Sequence, residues 1–197
     1  MTNFGKNLEM KNIVIFASGN GTNAQCIAEY FKDRNDVHIP LILCNKKKAY
    51  VFERAKNLGI PSRHFSREEF HSEAFVEELR RIPADLIVLA GFLWLVPEKL
   101  VEAFPKRIVN IHPALLPKYG GKGMYGDRVH EAVIAAKEKQ SGITIHLIDE
   151  EYDKGTTLFQ ATCTVEASDT PDSLAQKIHA LEHRHFPEVI DRYLQTL

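Results

Sequence analysis

The sequence predicts an α/β fold: a mostly parallel central sheet with helices on both faces, and antiparallel strands near the C-terminus. Three observations lead there. Short apolar runs alternate with helical patterns along most of the chain, which implies parallel strands joined by right-handed crossovers. The strongest run, residues 85–92 (DLIVLAGF), is continuously apolar, as suits a central strand covered on both faces. Toward the C-terminus, residues 142–149 (GITIHLID) and 155–165 (GTTLFQATCTV) alternate or are β-branched, so they are expected to pair as a hairpin or as edge strands.

The elements follow in order. Residues 12–17 (NIVIFA) read as the first strand, the Gly-rich SGNGTN as a tight loop, and residues 24–32 as a helix. Residues 38–44 (HIPLILC) read as a second buried strand, and residues 50–60 as a helix with Gly59 just past its end. Ser66, with Glu69 three residues on, is a capping box that opens a helix running to Arg81. Pro97 and Glu98 open a short helix to Phe104, residues 107–113 (RIVNIHP) form another strand, and residues 127–138 another helix. Residues 170–194 read as a long amphipathic helix with Thr170 as N-cap and Pro171 at its first position; Pro187 is expected to kink or restart it.

Composition narrows the function classes. A chain of 197 residues with 44% apolar and 26% charged residues reads as one soluble domain with a sizeable core. Its net charge of −1 argues against broad electrostatic binding of nucleic acid, though a local basic pocket would still hold a small anion. Cys26, Cys44 and Cys163 are scattered and odd in number, which fits a reducing cytoplasm better than a disulfide framework or a zinc site. No apolar stretch is long enough to span a bilayer, and residues 1–11 lack a hydrophobic signal core.

In α/β sheets of this kind, ligands sit beyond the carboxyl ends of the strands. Two polar motifs fall there. SGNGTN stands where the first strand meets the first helix, so its backbone N–H groups and the helix dipole favour an anion. It also satisfies G-x-G-x-x-A through Gly19, Gly21 and Ala24, a dinucleotide pattern. A dinucleotide would call for an acidic residue after the second strand, where Asn45 and three lysines stand instead. A single phosphate is therefore favoured, with a merely structural turn as the alternative. In NIHP, Asn110 and His112 lie two apart on a strand and project to the same face. An amide donor beside a proton shuttle suits a reaction that passes through a tetrahedral oxyanion. The plainer alternative is a strand-end pair that satisfies loop backbone.

A carboxylate-rich turn follows, with Asp149, Glu150, Glu151 and Asp153. Such turns are usually solvated, but one carboxylate brought to His112 would orient the imidazole and favour its charged form; Asp153, just before Gly155, is the candidate. His146 reads as a satisfied strand histidine rather than a catalyst. His179 and His183 are spaced i, i+4, yet no third ligand accompanies them, so no metal is expected.

Together SGNGTN, AGF, NIHPALLPKY, G-x-T-x-H (Gly142, Thr144, His146) and D-x-G (Asp153, Gly155) occur in one order at one spacing. In this the chain resembles the phosphoribosylglycinamide formyltransferases, folate-dependent enzymes of purine synthesis, from about residue 12 to residue 194. The resemblance implies a Rossmann-like formyltransferase fold in a single domain, 1–197. Residues 12–110 would form a phosphate- and ribotide-binding half, and residues 111–197 a folate and catalytic half. It implies that the amine of 5-phosphoribosylglycinamide attacks the formyl carbon of 10-formyltetrahydrofolate, the co-substrate, without a metal. Asn110 would stabilise the oxyanion, His112 would be the general acid/base, and Asp153 would hold His112. Gly21, Thr22 and Asn23 match the segment that binds the ribotide phosphate, and Glu182 a residue at its glycinamide end. Folate would contact Arg67, the segment Leu93, Trp94, Leu95 and Val96, Asn110, and the loop Asp149, Glu150, Glu151, Tyr152 and Asp153. The partners implied are small molecules, with no nucleic acid and no membrane, for a cytoplasmic monomer or homodimer.

The chain departs from the family pattern in three places. Ala114 stands where serine is usual. FLWLV replaces the common FMRIL, so Trp94 takes the place of an arginine. Residues 120–129 (GGKGMYGDRV) are longer than usual and glycine-rich, which is expected to give a mobile lid. Related folate-dependent transformylases and hydrolases share the Asn–His–Asp set but carry an extra domain that this length does not accommodate. A nucleotide-binding module without chemistry would keep SGNGTN and have no need of Asn110, His112 and Asp153 together.

Overall fold

A computed structural model describes residues 10–148 and 155–197. Seven strands form one sheet in the order β3-β2-β1-β4-β5-β6-β7. They are β1 (Lys11–Ala17), β2 (Val37–Cys44), β3 (Ser62–His64), β4 (Leu86–Leu89), β5 (Ile108–His112), β6 (Gln140–Leu147) and β7 (Thr157–Thr164). Pairing is parallel from β3 through β5 and antiparallel from β5 through β7. The helices are α1 (Thr22–Phe31), α2 (Val51–Asn57), α3 (Arg67–Phe70), α4 (Glu73–Arg81), α5 (Glu98–Ala103), α6 (Asp127–Ala135) and α7 (Pro171–Leu194).

Residue alternation along β1 divides the core. Ile13, Ile15 and Ala17 join one cluster with residues of α1, α2, α6 and α7, while Val14 and Phe16 join another with residues of α3, α4 and α5. All five are fully buried. A strand enclosed on both faces has no need of polar alternation, which is why it reads as a continuous apolar run. On the second face, Phe16, Phe65, Phe70, Phe75 and Phe92 pack at tilted or edge-on angles, and Trp94 extends the cluster toward the carboxyl ends of the strands.

The structure departs from the sequence reading in four local details. The helix read from Ser66 to Arg81 is two, α3 and α4. Ser72 takes an extended backbone and its Oγ accepts from Phe75 N at 3.2 Å, so a second N-cap restarts the helix. The three-residue strand β3 lies on the sheet edge, where Ser62, Arg63 and His64 carry no apolar signal. β6 begins at Gln140, two residues earlier than the pattern suggests. Of the two outcomes expected at Pro187, a restart is not seen: α7 runs unbroken from Pro171 to Leu194. Phe186, Pro187, Val189 and Ile190 are all buried there, and packing holds the helix together across the missing N–H.

Candidate active site

A cavity of about 330 Å³ opens at the carboxyl ends of the parallel strands. The loops that follow β1 and β4 both line it. From β1 the chain runs outward to β2 and β3 on one side, and β4 and β5 continue on the other, so the cavity lies where the strand order reverses.

The loop after β1 is pinned from α2. Gly19 O accepts from Val51 N at 3.2 Å, and Arg54 donates to Asn20 O at 2.8 Å. Gly21 has φ +78°, and a Cβ there would come within 2.7 Å of Val51 Cβ. Glycine is therefore required by the protein's own packing, and Gly21 is the N-cap residue of α1. Ser18 joins this loop to the one after β4: its N donates to Gly91 O at 3.2 Å, and its Oγ accepts from Leu93 N at 3.0 Å.

On β5, Asn110 and His112 both line the cavity. Each stands opposite a residue of the G-x-T-x-H motif on β6, Asn110 against His146 and His112 against Thr144. His146 is fully buried. Its Nδ1 lies 3.1 Å from Leu147 O, so that nitrogen carries the hydrogen and Nε2 is the acceptor. Asn110 Nδ2 donates to that Nε2 at 3.1 Å, which sets the orientation of the amide. Thr144, also fully buried, donates from Oγ1 to Ala114 O at 2.7 Å and accepts from Leu116 N at 3.0 Å. It thereby fixes the backbone that leaves β5. Gly142 completes the motif, because a side chain there would run into the Ala161 backbone of β7 and the Leu115 side chain. His112 is 4% exposed and its Nε2 donates to Tyr119 O at 2.8 Å.

A polar group closes the far wall. Glu182, on α7, is 6% exposed, and its Oε2 accepts from Asn23 Nδ2 at 2.9 Å and from His179 Nδ1 at 3.0 Å. The bond to this carboxylate raises the pKa of His179 above the ordinary histidine value. Burial lowers the pKa values of His130, on α6, and His183.

The structure thus brings Gly21, Thr22, Asn23, Leu93, Trp94, Leu95, Val96, Asn110, His112 and Glu182 to one cavity. Arg67 does not line it; its guanidinium lies 4.8 Å from the centre of the Trp94 ring, which does. Asp149, Glu150, Glu151, Tyr152 and Asp153 lie outside the described residues. Among the described residues, no group of three His, Cys, Asp or Glu is arranged to hold a metal ion, and no helix is long and apolar enough to cross a membrane. Sequence reasoning passed over the supporting role of His146 and the cavity position of His130. The first was legible in the G-x-T-x-H spacing, since β6 presents Thr144 and His146 on one face. The second depends on how α6 packs against α7, and no local pattern carries it.

A family model described as Formyl transferase matches residues 11–190. The phosphoribosylglycinamide formyltransferase of Bacillus subtilis is 37% identical over 191 residues, covering 94% of this chain and 95% of that protein. The chloroplastic phosphoribosylglycinamide formyltransferase of Arabidopsis thaliana is 42% identical over 91% of this chain. The chain spans 64% of that protein's length and 60% of its Vigna unguiculata counterpart's. Among solved structures, the phosphoribosylglycinamide formyltransferase from Anaplasma phagocytophilum superposes with a TM-score of 0.86 at 32% identity, covering 95% of this chain and 89% of that one. That from Streptococcus pneumoniae gives 0.82 at 39% identity, covering 93% and 98%.

Proposed function

The chain belongs to the formyl transferase family, and from that premise we propose that it transfers the formyl group of 10-formyltetrahydrofolate to the primary amine of 5-phosphoribosylglycinamide. One observation carries this reading: Asn110 and His112 line the same cavity as the loop at residues 21–23 and the segment at residues 93–96. The ribotide phosphate would take the N-terminus of α1, where N–H groups and the helix dipole favour an anion. The amine end would reach Glu182, and the pterin would lie against residues 93–96. Arg67 and the loop of residues 149–153 would serve the rest of the folate.

In this mechanism the amine nitrogen bonds to the formyl carbon, and the carbonyl electron pair moves onto oxygen. Asn110 donates to that oxyanion. One hydrogen of its Nδ2 is engaged by His146, which leaves the second for the substrate. His112 takes the proton that the amine sheds and returns one to the departing folate nitrogen. The bond between formyl carbon and folate nitrogen then breaks, giving the formylated ribotide and tetrahydrofolate. Asp153 holds His112 through the cycle, and residues 120–129 close over the bound substrates. The reaction belongs in the cytoplasm, which the three free cysteines suit.

The test is absorbance on mixing the protein with 10-formyltetrahydrofolate and the ribotide. Tetrahydrofolate should form only when both are present. Tight ribotide binding without turnover would instead mark a binding module, and tetrahydrofolate release without ribotide would mark a hydrolase.

A further inference from the structure

Arg54, on α2, does not line the cavity, yet its guanidinium is committed to the loop that does. Nε donates to Asn20 O at 2.8 Å, and Nη2 to Asn20 Oδ1 at 2.9 Å. Nη1 donates to Gln25 Oε1 on α1. The guanidinium carbon lies 5.1 Å from the centre of the Tyr50 ring, at the start of α2. Gln25 N donates to Gly21 O at 2.9 Å, so it belongs to the first turn of α1. One side chain thus ties α2 both to the loop after β1 and to the helix that follows it. The chemistry set out above makes no use of it.

What this does to the loop follows from peptide planarity. In a trans peptide, the carbonyl oxygen and the N–H of the next residue point in opposite directions. The Gly19–Asn20 and Asn20–Gly21 bonds are both trans. Val51 N holds Gly19 O at 3.2 Å and Arg54 holds Asn20 O, so the N–H groups of Asn20 and Gly21 are turned away from α2. Neither donates to another group among the described residues. No lysine or arginine lines the cavity among the described residues. An anion beside residues 19–23 is therefore met chiefly by backbone N–H groups and the α1 dipole. Such donors bind best when their orientation is fixed beforehand, because binding then costs less ordering.

We propose that Arg54 is a positioning residue for the ribotide: by holding the Asn20 carbonyl it aims the Gly21 N–H at the phosphate before the substrate arrives. A lysine cannot do the same. The fixed fork of N–H groups reaches the Asn20 backbone, the Asn20 amide and Gln25 together, whereas an ammonium is a single point charge. The inference deepens the formyl-transfer reading and rests on it, because it takes the phosphate of that substrate as the anion.

The test isolates the phosphate by comparing the ribotide with its dephosphorylated riboside. Arg54→Met keeps the aliphatic stem without donors or charge, and Arg54→Lys keeps the charge without the fork. In Arg54→Met the calorimetric Kd of the ribotide should rise about tenfold, while that of the riboside changes by less than about twofold. The ribotide KM should follow its Kd, with kcat and the formylfolate KM staying within about twofold. Arg54→Lys should recover only part of the loss. Equal weakening of ribotide and riboside would mark a merely structural role and overturn the proposal. Unchanged ribotide affinity in a folded Arg54→Met protein would overturn it too, as would full recovery in Arg54→Lys. Should Arg54→Met fail to fold, the Arg54 Nε–H resonance of the unaltered protein decides. A phosphate on the Gly21 N–H polarises the Asn20 carbonyl, so this signal should move on adding ribotide and stay put on adding riboside. A signal indifferent to ribotide would overturn the proposal equally. If the unaltered protein binds ribotide but never turns over, formyl transfer fails as a reading, while the comparison of ribotide with riboside still decides Arg54.

Discussion

Asn110 and His112 owe their positions to the strand beside them. Spacing alone says that the two side chains share a face. The antiparallel register adds that each is backed by one residue of G-x-T-x-H, His146 behind Asn110 and Thr144 behind His112. Removing an oxyanion donor typically lowers kcat by two to three powers of ten, so Asn110→Ala should lose roughly a hundredfold in kcat with smaller changes in KM. Steady-state kinetics check this, and a normal kcat would remove Asn110 from the chemistry. His146→Leu acts one step back: the amide keeps its donor and loses the acceptor that orients it. Its kcat should fall roughly tenfold, as expected for about 1.4 kcal/mol of lost positioning. Because the two act as one unit, the double variant should be no slower than Asn110→Ala alone. Additive losses would mean that His146 acts elsewhere. Trp94 carries a separate prediction. Its ring holds Arg67 by a cation–π contact, worth about 0.5–1 kcal/mol at exposed sites. Trp94→Ala should therefore raise the formylfolate KM a few-fold and leave the ribotide KM alone, whereas a shift in ribotide KM alone would break the assignment.

At the scale of single elements, the sequence was most legible where one physical term dominated. β4 and residues 13–17 of β1 are apolar runs buried throughout, and nothing competes with burial there. It was least legible where a short local interaction decides. A serine cap divides α3 from α4, and edge pairing makes a strand of three polar residues. Tertiary packing carries α7 through Pro187, which propensity alone would not allow. The loop before α1 shows a different gap. It read as an anion site made by backbone N–H groups and the helix dipole, yet at Gly21 the nearest obstacle to a side chain is Val51 of α2, with Val51 Cα 3.0 Å from a built Cβ. Gly21→Ala should therefore first destabilise the fold. The left-handed backbone alone costs an alanine roughly 1 kcal/mol, which for a chain of this size lowers Tm by about 2–4 °C, and the contact with Val51 adds to it. A thermal melt checks the expectation. An unchanged Tm with weakened ribotide binding would return Gly21 to a role limited to the ligand.

Across the whole molecule, β5 is the hinge of the design. It is the last parallel strand and the first to take an antiparallel neighbour, so it carries Asn110 and His112 where the two kinds of sheet meet. α6 and α7 then close the cavity with His130 and His179, and these, together with His183 on α7, tie stability to pH. His130 and His183 have folded pKa values below the ordinary histidine value of about 6.5, because burial disfavours their charged forms. The stability they permit is complete above about 6.5 and is lost as pH falls toward their folded values. His179 runs the other way. Its bond to Glu182 raises its pKa, so its contribution is complete below about 6.5 and is lost as pH rises through the raised value. His179 is largely exposed and water weakens its pair, while His130 is enclosed. The buried ring should therefore dominate on the acid side. Between about pH 7.5 and about pH 5.5, Tm should fall in the unaltered protein, and it should fall less in His130→Phe, where no buried ring needs to charge. Melting curves of both proteins across that window, at one ionic strength, measure the difference. Equal losses of Tm would show that His130 meets no greater obstacle to protonation in the folded protein than in the unfolded chain, contrary to its burial.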